Sequence, residues 1–167
     1  LTDWHMIKAE CSRLGVDLII TPFDERSLDF VVELGVDAIK IASFDCGNLP
    51  FLARVARTKL PVVISVGGGK IDEIKASINV LENGIKDIAI LHCVSEYPCP
   101  PEKLGLNAIR KLLSVFPEYP IGLSDHFKGI VSGPLAYMCG ARVFEKHVTL
   151  DRTWRGTDHS FALLPHG

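Results

Sequence analysis

The chain has 167 residues, 47% hydrophobic and 23% charged, with a formal net charge of −2. This is the composition of one globular domain over residues 1–167, long enough to bury roughly two-thirds of the surface its unfolded chain exposes. It excludes a basic nucleic-acid face and an acidic tail, and no apolar run approaches the ~20 residues of a membrane span.

The opening stretch Thr2–Leu14 is amphipathic and not signal-like, and it reads as a helix closed by Gly15. No initiating Met precedes it, which predicts a start inside a larger protein. The first strand-like run is Asp17–Thr21 (DLIIT), followed by a helix over 25–34 and Gly35. Next come Ala38–Ser43 (AIKIAS), a helix over 49–58, and Pro61–Val66 (PVVISV). A glycine turn leads to a helix over 70–83 and Gly84, then Ile88–Cys93 (IAILHC) and a helix over 101–116. Pro120–Ser124 (PIGLS), a helix over 129–139, Gly140 and Arg142–Val148 (RVFEKHV) complete the series. The tail from Asp151 carries no helical period and is expected to cross the mouth of the fold or lead into a further domain. Five cysteines without a CxxC pair point to a reduced, cytoplasmic setting.

Strand and helix alternating at this spacing predict a parallel α/β fold, and the strands are apolar on both faces, as buried parallel strands should be. The loop Gly67-Gly68-Gly69 follows a strand but matches neither a dinucleotide fingerprint nor a P-loop. Polar residues stand at the C-terminal end of nearly every strand, as in a (β/α)₈ TIM barrel: Thr21, Ser43, Ser65, His92 with Ser95, Ser124 with His126, and Glu145 with His147. Closure takes eight strands, so the six here predict a fragment carrying strands 3 to 8. Its open edges are expected to make the isolated segment self-associate.

His126 and His147 end neighbouring runs, and two imidazoles with a carboxylate nearby suit a Mn²⁺-type ion. Glu145, two residues before His147, shares its face, whereas Asp125 points elsewhere and is expected to brace a turn. Either histidine alone reads more simply as a satisfied loop-edge residue; the pairing beside Glu145 favours the metal. His92 lies in an apolar strand and is assigned a supporting role rather than ligation. Lys40 interrupts AIKIAS, and a cation in a buried strand is costly unless used. Its uses are a Schiff base, an anion contact, or a stem reaching out to water. The company of Ser43, Ser65 and the glycines favours phosphate or carboxylate. Tyr97 suits stacking on a sugar and capping the core equally, and Asp158 lies in a polar loop near the expected mouth.

The motifs ITPFD (20–24), KIASFD (40–45), VISVGG (63–68), LHCVSEYPCP (91–100), IGLSDH (121–126), FEKHVTLD (144–151) and GTDHSFAL (156–163) occur in this order. Together they resemble the sialic acid synthase family, the phosphoenolpyruvate-dependent synthases of N-acetylneuraminate and related nonulosonates. The resemblance implies a Mn²⁺-type ion (Mg²⁺ or Co²⁺ as alternatives) on His126 and His147, with Glu145 beside it. It implies phosphoenolpyruvate on Thr21, Lys40, Ser43, Ser65 and Ser124, and an N-acetylated amino sugar near Ser95, Tyr97 and Asp158. Lys40 and Glu145 would be the catalytic groups, in a protein that is a homodimer at full length. Asp45 departs from the family's usual Glu, Ser95 from the Asn of some members, and VGGG from a common TGM. The family also draws an acidic residue and a Lys from two earlier strands, and has a C-terminal antifreeze-like domain. Competing readings are a Schiff-base aldolase using Lys40, a metal-dependent hydrolase using the two histidines, and a truncated homologue without catalysis.

Overall fold

A computed structural model describes residues 2–167, in which parallel strands alternate with helices. The order is α1 (Thr2–Leu14), β1 (Ile19–Ile20), α2 (Glu25–Leu34), β2 (Ala38–Ile41), α3 (Leu49–Thr58), β3 (Val62–Ser65), α4 (Ile71–Glu82), β4 (Ile88–Cys93), α5 (Asn107–Val115), β5 (Ile121–Asp125), α6 (Ser132–Met138) and β6 (Val143–Lys146). Short 3₁₀ turns lie at Ser43–Asp45 and Pro101–Lys103. The chain divides into two compact units.

One unit runs to Ile64 and includes Gly69–Ile88. Its strands follow chain order, β1–β2–β3, with Ile20 level with Ile39 and Lys40 level with Val63. α2 begins where the Asp24 carboxylate accepts from the Ser27 N–H at 2.6 Å while the Ser27 hydroxyl accepts from the Asp24 N–H. This reciprocal cap satisfies two N-terminal donors that water would otherwise have to reach. Gly35 ends the helix at φ 76°, a left-handed conformation open to glycine at little cost. Leu28, Val31 and Leu34 turn one face inward, and Phe51, Leu52, Val55 and Ala56 of α3 do the same. Fully burying each large apolar side chain is worth about 1.5–3 kcal/mol. Arg54 clasps Glu25 at 2.7 Å and Asp29 at 2.8 Å, joining α3 to α2.

The other unit comprises Ser65–Gly68 and Ala89–Gly167. Here too strands follow chain order, β4–β5–β6, with Leu123 level with Phe144 and Asp125 level with Lys146. The Val66 N–H donates to the Leu91 carbonyl at 3.0 Å. β5 is buried along its length, whereas β6 is half open, with Phe144 45% exposed. Neither unit reverses its strand order, as a doubly wound sheet does at its switch point.

Two expectations need correction. The single helix over 101–116 is a 3₁₀ turn and a separate α5, broken at Gly105, which sits at φ 55°. The Leu104 carbonyl freed by the break accepts from His92 Nε2 at 2.8 Å. Gly84 does not cap α4 with a left-handed turn, unlike Gly15, Gly35 and Gly140. It is glycine because α3 passes against it: a Cβ there would lie 2.0 Å from the Ala56 carbonyl oxygen. All five cysteines are free thiols. Among the described residues no helix is long and apolar enough to cross a membrane.

Candidate active site

The second unit gathers most of the polar strand-end residues. β5 and β6 are neighbours in register, so Ser124 stands level with Glu145. The Ser124 hydroxyl donates to Glu145 Oε1 at 2.6 Å. Two residues further along each strand the imidazoles of His126 and His147 meet, with ring centroids 5.3 Å apart. Tyr97 lies over His126 at 3.9 Å between centroids and meets His147 edge-on at 6.0 Å.

The tail packs against this cluster. Thr149 donates its N–H to the Leu163 carbonyl and Leu163 donates to the His147 carbonyl, both at 2.8 Å. The pairing seats Phe161, fully buried, at 5.1 Å from the His147 ring and 6.1 Å from that of Tyr97. It also brings Asp158 Oδ2 to 3.5 Å from His147 Nδ1.

These contacts fix the state of each ring. A carbonyl oxygen can only accept, so the 2.9 Å contact of His126 Nδ1 with the Val94 carbonyl places the proton on Nδ1. Burial disfavours the charged form of His126, but hydrogen bonds to Cys93 and to the Val94 carbonyl outweigh it and raise its pKa above the ordinary value. His147 moves the other way. Burial lowers its pKa, Asp158 opposes the shift, and the neighbouring His126 adds to it. The Tyr97 hydroxyl is held above its usual pKa, by burial first and then by the charges of Cys93, Asp158 and Glu145.

With Nδ1 of one ring on a carbonyl and Nδ1 of the other facing a carboxylate, Nε2 of each remains as the donor. This is the outer-shell pattern that orients metal-bound histidines. Among the described residues no group of three or more His, Cys, Asp or Glu could by itself hold an ion. The two imidazoles are thus what the described residues offer such an ion, and any further positions would have to be filled by water or substrate oxygen.

Ser65 is 2% exposed and belongs to this unit, as does Ser95, whose hydroxyl lies 3.7 Å from Cys93 Sγ. Thr21, Lys40 and Ser43 belong to the first unit. Lys40 is only 8% exposed, and its ammonium donates to the Ile41 carbonyl at 3.1 Å. Asp45, in the same unit, is 5% exposed; one carboxylate oxygen accepts from Asn48 at 3.0 Å and Oδ2 has no hydrogen-bond partner.

Sequence reasoning did not find the Val94 carbonyl, Cys93 or Phe161 as parts of the site. A backbone carbonyl has no signature in sequence, and Cys93 and Phe161 read as ordinary core. It noted Asp45 only as a departure from a pattern, and an acid inside an apolar strand-end run was the available signal. His92 supports the loop at Leu104, as expected.

A family model described as the NeuB family matches residues 2–167. The chain is 39% identical over 160 residues to the N-acetylneuraminate-9-phosphate synthase of Drosophila melanogaster, covering 95% of this chain and 43% of that protein. It is 36% identical over 168 residues to the N,N'-diacetyllegionaminic acid synthase of Legionella pneumophila, covering 98% and 47% respectively. Among solved structures, the N-acetylneuraminic acid synthetase of Leptospira borgpetersenii in complex with citrate superposes with a TM-score of 0.93 at 36% identity. That match covers 99% of this chain and 57% of the other. The chain thus spans less than half the length of these two curated relatives. The fold is α/β, with the β/α succession of a TIM-type barrel, of which this chain holds six strands.

Proposed function

The chain belongs to the NeuB family, and on that premise we propose that it carries the metal and phosphoenolpyruvate side of a synthase that joins phosphoenolpyruvate to an N-acetylated amino sugar, releasing phosphate and a nonulosonate. The observation that carries this reading is the convergence of His126 and His147, each with Nδ1 engaged and Nε2 left as a donor. A bound divalent ion, Mn²⁺ before Mg²⁺ or Co²⁺, supplies Lewis acidity for the sugar carbonyl.

The protein's own groups do the rest. Lys40 holds the phosphate or carboxylate of phosphoenolpyruvate as an ammonium, with Thr21, Ser43, Ser65 and Ser124 as hydroxyl donors. Glu145, which accepts from Ser124, would take up the proton of a water adding to the substrate. Phe161 and Tyr97 pack their rings against the imidazoles. Ser95, Tyr97 and Asp158 offer polar atoms for the hydroxyls and amide of the sugar. The sugars named for relatives, N-acetylneuraminate and diacetyllegionaminate types, give N-acetylmannosamine and a diacetamido sugar as the first candidates. A homodimer in the cytoplasm is the expected setting of the full-length protein.

The test measures phosphate release by the full-length protein. Release should require phosphoenolpyruvate, one of these sugars and a divalent ion together. His126→Ala and His147→Ala should each remove the metal dependence and the activity, a larger loss than the ~10–100-fold typical of outer-shell changes. Near-normal Mn²⁺-dependent turnover in either variant would reject the ligand assignment. Trapping of substrate on the protein by borohydride would instead point to an aldolase using Lys40.

A further inference from the structure

The reverse face of the β5–β6 pair carries a device that the reaction does not itself use. Asp125 and Lys146 stand level in register, one residue before His126 and His147. Their charged groups meet at 2.7 Å, with side chains only 7% and 14% exposed. Successive residues of a strand point to opposite faces, so this pair lies behind the Ser124–Glu145 and His126–His147 pairs.

Its contacts close on the turn that follows His126 and on the start of α6. Asp125 Oδ1 accepts the Phe127 N–H at 2.9 Å, and the Lys146 ammonium donates to the Phe127 carbonyl. The other Asp125 oxygen accepts from Ser132 at the start of α6 as well as from Lys146. His126 is pinned on its own carbonyl too, by the Cys99 N–H at 2.9 Å. Both backbone groups of Phe127, the residue after His126, are thus held by the ion pair, its N–H by Asp125 and its carbonyl by Lys146. A slip of one residue between these strands would carry an imidazole to the wrong face.

We propose that Asp125 and Lys146 are positioning residues for the two-imidazole site: the buried pair locks the register and the 126–127 turn so that His126 and His147 face one ion. The reasoning about metal rests on the function proposed above; the placement of the rings does not. A buried ion pair is weak evidence for stability, since an apolar pair of similar volume often does as well. Its retention here is explained by the geometry it imposes.

The experiment uses the full-length protein and the variants Lys146→Met, Asp125→Asn and, as a milder change, Ser132→Ala. Co²⁺ is titrated while its visible absorption is followed, and folding is checked by near-UV circular dichroism. Folded Lys146→Met or Asp125→Asn should bind Co²⁺ about 10–100-fold more weakly, with Ser132→Ala in between and with the affinity for phosphoenolpyruvate unchanged. Lys146→Arg, which keeps the charge, should recover part of the Co²⁺ affinity. Unchanged Co²⁺ affinity in the folded variants would overturn the proposal, because a merely structural pair lowers the melting temperature alone. If the parent protein binds no Co²⁺, the metal reading fails and the metal-free protein decides. A ring-to-ring nuclear Overhauser contact between His126 and His147 that is lost in Ser132→Ala or Lys146→Met supports the positioning role, and one that persists in both rejects it.

Discussion

At the scale of single residues, the buried charges are the informative ones. Lys40 sits in a strand whose four residues are all buried, with a backbone carbonyl as one acceptor for its ammonium. Taking an ammonium out of water costs several kcal/mol unless its donors are used. An anionic substrate would add a charged acceptor to those the ammonium already has. Lys40→Met keeps the stem and removes the charge, so phosphoenolpyruvate affinity should fall by about 1.5–3 kcal/mol, roughly 10–150-fold, the worth of a hydrogen bond to a charged group. Sugar affinity should change little. A calorimetric titration showing equal phosphoenolpyruvate affinity would remove Lys40 from the anion site. The sequence already singled out Lys40, His126 and His147, because a polar side chain at the end of an apolar strand is conspicuous. The partners that set ring tautomers were not legible, because a carbonyl such as that of Val94 depends on where a loop passes and not on which residue it belongs to.

At the scale of elements, apolar period and turn chemistry located the helices and strands well. The spans of α1, α2 and α3 match the periodic segments, because caps and glycines mark their ends. The break before α5 was missed for a physical reason. Leu104 and Leu106 continue the apolar period through Gly105, and only the positive φ of Gly105 and the His92 hydrogen bond show that the backbone leaves the helix. Gly84 follows a helix, where a capping glycine is expected, but it takes no left-handed turn. Its service is contact between elements, which a one-dimensional pattern does not record. Gly84→Ala would drive a methyl group against the backbone of α3. Overpacking of this kind costs about 1–3 kcal/mol. For a chain of this size that lowers the melting temperature by roughly 2–12 °C. A calorimetric scan of Gly84→Ala that matches the parent would show that α3 and α4 can separate freely at this point.

At the scale of the whole molecule, 18 basic and 20 acidic side chains nearly balance, so stability against pH is decided by how particular groups are engaged rather than by net charge. Several carboxylates across both units have lowered pKa values. Asp24 is lowered by the Ser27 N–H, Asp37 by the Lys8 ammonium and the Leu18 N–H, and Asp151 by the Thr153 N–H and hydroxyl. A carboxylate whose folded pKa lies below its unfolded value, about 3.9 for Asp, contributes stability that is complete above the unfolded value. That contribution is lost as pH falls through the folded one. The two site histidines oppose each other in the metal-free protein. His126, with a raised pKa, favours the folded state below its unfolded value near 6.5 and loses that contribution as pH rises through the folded one. His147, with a lowered pKa, contributes above that range and loses its contribution as pH falls. Their effects partly cancel near neutrality, leaving the carboxylates to shape the acid limb. The metal-free protein should therefore melt at a nearly constant temperature from about pH 5.5 to 8 and lose stability steeply below about pH 4. Asp37→Asn should flatten part of that acid limb while lowering the plateau, since the amide cannot pair with Lys8 as a charge. A melting temperature that holds level down to pH 3 would show that these caps and pairs form equally well in the unfolded chain, and the assignment of acid sensitivity to them would be wrong.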